Sequence, residues 1–338
     1  MSMSIASHSS SPPPKAQYTD HDDEEKINAA LNRYKEKIAT LPKEKGWVTK
    51  DLYMYQGFWH QPGRINSIEA LMAIQDTFKA HPTDIYLATM PKSGTTWLKA
   101  LVFALVKRHE YKNNIKSTHP LLVSNPHVCL PGITIEIFRN TPFYAEGDSP
   151  RLFATHIPYP LLPQSILDSG CRLVYLCRNP KDVLVSLFHF ANKLRDKSLG
   201  LMTFEEAYQL FSKGVMPNGP YWDHVKGYRK VSLEHPENVF FLTYEEMSVD
   251  IVDVVKRLAN FLGYPFTEKE EAEGTVNEIV KLCGFKNLSE VNKHGLNNVF
   301  FREGKVGDWK NYLTDEMSRN LDEITEEKFK GLDISFPI

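Results

Sequence analysis

The chain has few cysteines, no excess of basic side chains and no long apolar run, and each shortage excludes a class of protein. Only four cysteines occur in 338 residues, Cys129, Cys171, Cys177 and Cys283, and none has metal-ligand spacing. Cys171 and Cys177 flank what reads as one buried strand, so they serve as small apolar packing residues rather than a disulfide. The 40 Lys and Arg against 42 Asp and Glu leave a net charge of −2, with no basic stripe. General nucleic-acid and anionic-membrane partners are thereby disfavoured, and any anion must be held at a focused site. No run of 18 apolar residues exists, so no membrane-spanning helix is expected. The first 17 residues lack both an apolar core and any Arg, unlike a secretory signal or transit peptide. The expectation is a disordered tail over residues 1–22 and one domain over 23–338, in a reducing, cytosolic compartment. No linker composition and no internal repeat divides that domain.

What is present is an alternation of short apolar runs with helical patterns. Residues 84–90, 151–156, 171–177 and 239–243 read as buried strands. Helical spacing appears near 95–108, 182–194, 203–214, 220–230, 245–262 and 314–330, and earlier through Ile27, Leu31, Tyr34 and Ile38. This order predicts an α/β fold with a central parallel sheet flanked by helices and ligands at the carboxyl ends of the strands. Residues 47–63 are dense in aromatics (Trp47, Tyr53, Tyr55, Phe58, Trp59), either as core or as the wall of a flat ligand site. The weakly periodic 286–305 segment, with Gly295 and Gly304, reads as a functional lid loop.

Pro91-Lys92-Ser93-Gly94-Thr95-Thr96-Trp97 joins the first strand to the first long helix. A strand, a short Gly-containing loop and a helix start together form a P-loop-like anion cradle. Backbone N–H groups point outward there and the helix dipole adds roughly half a positive charge. Lys92 contributes a full charge, and Ser93, Thr95 and Thr96 contribute hydroxyls. It is not a Walker A loop, because Lys92 precedes Gly94 instead of following it. The plain alternative is an ordinary strand-to-helix turn.

Three further segments share the strand-end position. Arg178, just past the 171–177 run, with Ser186 two turns into the next helix, suits a second phosphate. Arg178 could equally pair with Asp182 or a neighbouring helix. Arg302-Glu303-Gly304-Lys305-Val306-Gly307-Asp308-Trp309 carries two glycines among charges, as a loop approaching a ligand or a turn would. His156, at the end of Arg151–His156 and before Pro158, sits where a neutral imidazole could act as general base.

These four segments, in this order and at these separations, resemble the cytosolic sulfotransferases. Leu41–Trp47, Tyr55-Gln56-Gly57-Phe58-Trp59 and Asn125-Pro126-His127 resemble the plant branch, and the likeness spans about residues 40–335. The resemblance implies transfer of a sulfuryl group from PAPS (3′-phosphoadenosine 5′-phosphosulfate) to a hydroxyl of a small hydrophobic or phenolic acceptor. It implies that Lys92, Ser93, Gly94, Thr95 and Thr96 hold the 5′-phosphosulfate, with Trp97, Tyr244 and Phe285 at the adenine. Arg178, Ser186, Arg302, Glu303 and Gly304 would take the 3′-phosphate. His156 would be the base and Lys92 the cation at the leaving oxygen, with Lys and Arg charges in place of a metal. Tyr53, Phe58, Trp59, Phe138, Phe143, Tyr159, Phe188, Tyr221 and Trp222 would supply the acceptor pocket.

Three departures from the family pattern stand out. Glu303 replaces the usual Lys and would repel a phosphate if turned inward. Cys283-Gly284-Phe285 replaces the Thr-Ser-Phe of animal relatives. The register of the animal dimer signature holds Lys310, Thr314, Asp315 and Arg319, which points to a monomer. Two other readings remain: a non-catalytic nucleotide binder, supported by Glu303, and an ATP-dependent phosphotransferase, disfavoured by the Lys92–Gly94 order.

Overall fold

The computed structural model of the chain describes residues 32–63, 67–111, 119–133, 149–291 and 299–336. The tail expected over 1–22, the start of the first helix, and Phe138 and Phe143 lie outside the described residues. Residues 32–39 are helical, which continues the Tyr34 and Ile38 pattern.

Four strands build the central sheet: β4 (Ile85–Thr89), β5 (Leu152–Thr155), β6 (Arg172–Cys177) and β7 (Val239–Thr243), in the order β5-β4-β6-β7. All neighbours are parallel, in the registers Ala88↔Thr155, Ala88↔Tyr175 and Tyr175↔Phe241. Every residue of β4 and β5 is buried. Parallel strands covered on both faces must be apolar throughout, which is why they read as continuous runs and not as alternation. The helices that cover them leave a core cluster on each face.

The chain leaves β4 toward β5 on one side and later returns as β6 on the other. The carboxyl ends at this reversal open a crevice where ligands collect in such sheets. Helices α2 (Thr95–Val106), α3 (Pro180–Leu194), α4 (Tyr221–Glu234) and α5 (Tyr244–Val249) follow, with α6 (Ile251–Leu262) and α7 (Phe285–Val291) beyond. α1 (Ile68–Thr77) precedes β4, capped by Ser67, whose hydroxyl accepts from Ala70 N–H at 3.1 Å.

Two expectations are corrected. The single helix expected over 245–262 is two, broken at Asp250, which ends α5 and caps α6 by accepting from Asp253 N–H at 3.0 Å. The expected lid loop begins with helix α7, and residues 292–298 lie outside the described residues. A third feature was not foreseen: residues 43–60 form an antiparallel sheet of β1 (Lys43–Lys45), β2 (Asp51–Tyr55) and β3 (Phe58–His60). Gln56 and Gly57 both have positive φ, 50° and 85°, the two-residue turn that matches hairpin twist. Trp47, fully buried, anchors this sheet by donating from Nε1 to the Val215 carbonyl at 2.8 Å.

Candidate active site

The loop after β4 is shaped by two left-handed residues, Lys92 (φ 71°) and Gly94 (φ 106°). A Cβ on Gly94 would stand 2.8 Å from the Tyr244 ring, so only glycine fits. Gly94 is also the N-cap of α2 and supplies no side chain to its first turn. The outward N–H groups there therefore lack the cap that Ser67 gives α1. Lys92 Nζ lies 4.1 Å from the Phe190 ring centroid. Burial, together with the cations Lys193, Arg178 and Arg302, pushes its ammonium down to about 7. An anion placed among these groups would relieve the strain on all of them.

His156 follows β5 across the crevice from this loop. Its Nδ1 is 2.7 Å from the Thr89 carbonyl oxygen and 3.1 Å from Thr89 Oγ1, which in turn bonds Thr95 Oγ1 at 2.7 Å. A carbonyl can only accept, so Nδ1 carries the hydrogen and Nε2 keeps a lone pair. Burial pushes the imidazolium down to about 4. Behind it, His224 Nε2 donates to the His156 carbonyl at 3.0 Å and His224 Nδ1 accepts from Tyr175 Oη at 2.8 Å. The Thr89 contacts thus hold the ring in one neutral tautomer with Nε2 available, while His224 holds its backbone.

At the end of β6, the Arg178 guanidinium lies 4.5 Å from the Tyr244 ring centroid and 3.3 Å from Asp182 Oδ2, and Nη2 also donates to the Lys305 carbonyl. Both readings of Arg178 therefore meet: it pairs with Asp182, yet among the described residues its buried Nε has no partner. Arg302 behaves alike, paired with Asp308 while its Nε has no partner among the described residues. Ser93 Oγ, fully buried, is a third such group. Glu303 is exposed, with its carboxylate 3.8 Å from Lys305 Nζ. Tyr244 Oη donates to the Gly304 carbonyl at 3.0 Å, and a Cβ on Gly304 would meet Phe285 at 2.6 Å. Trp97 packs edge-on to Tyr244 at 5.5 Å.

Lys92, Gly94, Thr95, Thr96, Trp97, His156, Arg178, Ser186, Tyr244, Phe285, Arg302, Glu303 and Gly304 all line one cavity of about 370 Å³; Ser93 sits behind its wall. None of the described aromatics assigned to an acceptor pocket, Tyr53, Phe58, Trp59, Tyr159, Phe188, Tyr221 and Trp222, lines this cavity. Tyr221 and Trp222 are core: Tyr221 Oη donates to the Arg178 carbonyl, and Trp222 Nε1 to Thr325 Oγ1 at 2.9 Å. Phe190, Phe300, Phe301 and His127 line the cavity; they fall in the segments 123–143, 188–226 and 286–301 expected around an acceptor but were not singled out. His127 stacks on Phe300 at 4.4 Å and contacts both Thr96 and Lys99. The plant-branch tripeptide Asn125-Pro126-His127 was the available signal for it.

The four cysteines are free. Among the described residues no group of three His, Cys, Asp or Glu could hold a metal, and no helix is long and apolar enough to cross a membrane.

A model of the sulfotransferase domain matches residues 82–333. Cytosolic sulfotransferase 15 of Arabidopsis thaliana is 42% identical over 314 residues, which are 90% of this chain and 87% of that protein. Flavonol 4′-sulfotransferase of Flaveria chlorifolia is 46% identical over 314 residues, covering 88% and 94%. Among solved structures, a sulphotransferase of Arabidopsis thaliana aligns with a TM-score of 0.72 at 39% identity, over 95% of this chain and 99% of its own. A mouse sulfotransferase complexed with PAP aligns with a TM-score of 0.63 at 28% identity, over 83% and 96%. With a domain match across most of its length and relatives this similar over nearly all of it, the chain belongs to the sulfotransferase family.

Proposed function

We propose that the protein transfers the sulfuryl group of PAPS to the hydroxyl of a small hydrophobic or phenolic acceptor, with His156 as general base. The observation that carries this is the pairing of a single-tautomer imidazole, Nε2 free, with the half-buried Lys92 ammonium in one cavity. Arg178 Nε and Arg302 Nε, without partners among the described residues, together with Lys92 and the uncapped start of α2, are what a ligand with two separate anionic groups needs, so the donor set fits. The mouse relative is complexed with PAP, the bisphosphate left when PAPS loses its sulfuryl group.

The bound donor supplies a sulfuryl group on a phosphate leaving group, and such transfers proceed through a loose transition state. The protein's work is therefore positioning and charge. His156 Nε2 takes the acceptor's hydroxyl proton. Lys92 holds positive charge at the loop that receives the 5′ end. Arg178, Ser186, Arg302 and the backbone at Glu303 and Gly304 bind the 3′-phosphate, and Trp97, Tyr244 and Phe285 bound the adenine. Phenolic acceptors are supported by the Flaveria relative, a flavonol sulfotransferase, and by Phe190 and Phe300 in the cavity wall. We assign the protein to the cytosol, like its Arabidopsis relative, and as a monomer from its altered dimer register.

Thermal stability with 3′,5′-ADP against 5′-ADP at equal concentration tests the donor site. A ligand at a hundred times its dissociation constant adds about 2.7 kcal/mol, so a shift with 3′,5′-ADP alone is expected. Equal shifts with both nucleotides, or none, would remove the 3′-phosphate assignment. Turnover of PAPS with a panel of phenols and alcohols then identifies the acceptor.

A further inference from the structure

Three polar groups stand in line at the anion loop: Thr96 and His127 line the cavity, and Lys99 lies behind them. Lys99 lies on α2 one turn past Thr95 and is 4% exposed. Among the described residues no carboxylate pairs with it; its ammonium lies 3.1 Å from His127 Nδ1. His127 Nε2 lies 3.0 Å from Thr96 Oγ1.

Chemistry fixes the direction of this chain. An ammonium has hydrogens and no lone pair, so Nδ1 accepts. Burial holds the imidazole neutral, well below its ordinary pKa, so its one hydrogen is on Nε2 and is donated to Thr96 Oγ1. Thr96, accepting there, keeps its own hydroxyl hydrogen to donate, and it lines the cavity with Lys92 and His156. Each bond polarises the next in a low-dielectric interior. Phe300, stacked 23° from parallel on the imidazole, holds the ring plane.

Burying an ammonium without a counter-charge is costly. It pushes Lys99 down to about 7. The neighbouring Cys129 thiol, itself raised to about 12, stays neutral and offers no compensation. Given the donor reading above, on which this step rests, the missing counter-charge is a ligand anion. We infer that Lys99 is a positioning residue for the donor's 5′ group, its charge reaching that group through His127 and the Thr96 hydroxyl. The relay sets how firmly the 5′ end is held and leaves the 3′-phosphate site untouched.

The test compares two ligands by calorimetry. 3′,5′-ADP carries the 5′-phosphate and adenosine 3′-monophosphate lacks it. Lys99→Met keeps the apolar stem and Thr96→Val keeps the shape, so the two break the chain at opposite ends. His127→Gln can still accept from Lys99 and donate to Thr96, whereas His127→Phe can do neither. Losing a charge-assisted hydrogen bond predicts that Lys99→Met and Thr96→Val each weaken 3′,5′-ADP by about tenfold. Adenosine 3′-monophosphate should stay within about twofold of wild type, the double variant should be no weaker than either single one, and His127→Gln should bind more tightly than His127→Phe. Should Lys99→Met fail to fold, Lys99→Gln, which keeps a donor to His127 without the charge, takes its place. Equal weakening of both ligands would make Lys99 a packing residue and overturn the inference, as would unchanged binding of 3′,5′-ADP. Wild-type protein that bound neither ligand would overturn the donor reading, and the relay with it.

Discussion

Asp182 holds Arg178 and, with the same carboxylate, the loop that follows Arg302. Its Oδ2 lies 3.3 Å from Arg178 Nη2 and accepts from Gly307 N–H at 2.8 Å, while Oδ1 accepts from Trp309 N–H at 3.0 Å. The carboxylate is fully buried. One side chain in the first turn of α3 therefore sets both halves of the proposed 3′-phosphate site, which lie more than a hundred residues apart in the chain.

Removing that carboxylate should damage both halves together. Asp182→Ala leaves a buried guanidinium unpaired, an arrangement that typically costs about 3–5 kcal/mol. Chemical denaturation should register that loss, and binding of adenosine 3′-monophosphate should weaken alongside it. Stability and affinity both near wild type would show that the 302–309 loop is held by other contacts, such as Lys181 Nζ at 3.9 Å from the Trp309 ring.

Glu303 replaces a residue of opposite charge in the family pattern, yet its carboxylate is exposed beside Lys305. Exposed charges interact weakly across water, at about 1 kcal/mol or less. Glu303→Lys should therefore change the dissociation constant of 3′,5′-ADP by no more than about fivefold. A much larger gain in affinity would mean that the carboxylate turns toward the ligand when it binds.

The central sheet was legible because strands buried on both faces are written as unbroken apolar runs, and the site was legible because each strand-end residue adjoins such a run. Lys92, His156 and Arg178 needed only that local rule, whereas Tyr244 came only with the family resemblance. The β1–β3 sheet was not, because strands of three to five residues crowded with aromatics leave no clear alternation; its cue was the turn at Gln56-Gly57. His127 was marked only by its tripeptide, and its role was illegible for another reason. Its partners Thr96 and Lys99 are about thirty residues away, and nothing in its own neighbourhood announces them. Tyr221 and Trp222 fall in the same class, since an aromatic pair at a helix start reads alike whether it faces core or cavity.

His156→Ala removes the proposed base without touching the residues assigned to the donor. Loss of a positioned base typically lowers rate about 10²–10⁴-fold. Turnover of PAPS should fall by at least that much while the dissociation constant of 3′,5′-ADP changes little. His224→Phe is the partner test: it breaks the bond to the His156 carbonyl and should lower kcat with the donor's affinity preserved. Turnover of His156→Ala within a few-fold of wild type would end the assignment of the base.

The pH dependence follows from two groups whose charged forms are both penalised by burial. His156, pushed down to about 4, is neutral and competent as a base at any pH well above that. Lys92, pushed down to about 7, loses its charge in the free protein as pH rises through that value. Since kcat/KM reports the free enzyme and kcat the complex, kcat/KM for PAPS should be flat from about pH 5 to 6.5 and decline above about 7. Binding an anion beside Lys92 raises its pKa, so kcat should hold to higher pH than kcat/KM does. Lys99 is held near 7 as well, and the limb that survives in Lys99→Met is the one belonging to Lys92. Lys92→Arg should keep only the limb belonging to Lys99, because a guanidinium stays charged across this range, and the double variant Lys92→Arg with Lys99→Met should carry none. A wild-type kcat/KM that stayed level to pH 9 would mean the Lys92 ammonium is not destabilised in the free protein, and that the cavity holds a compensating charge.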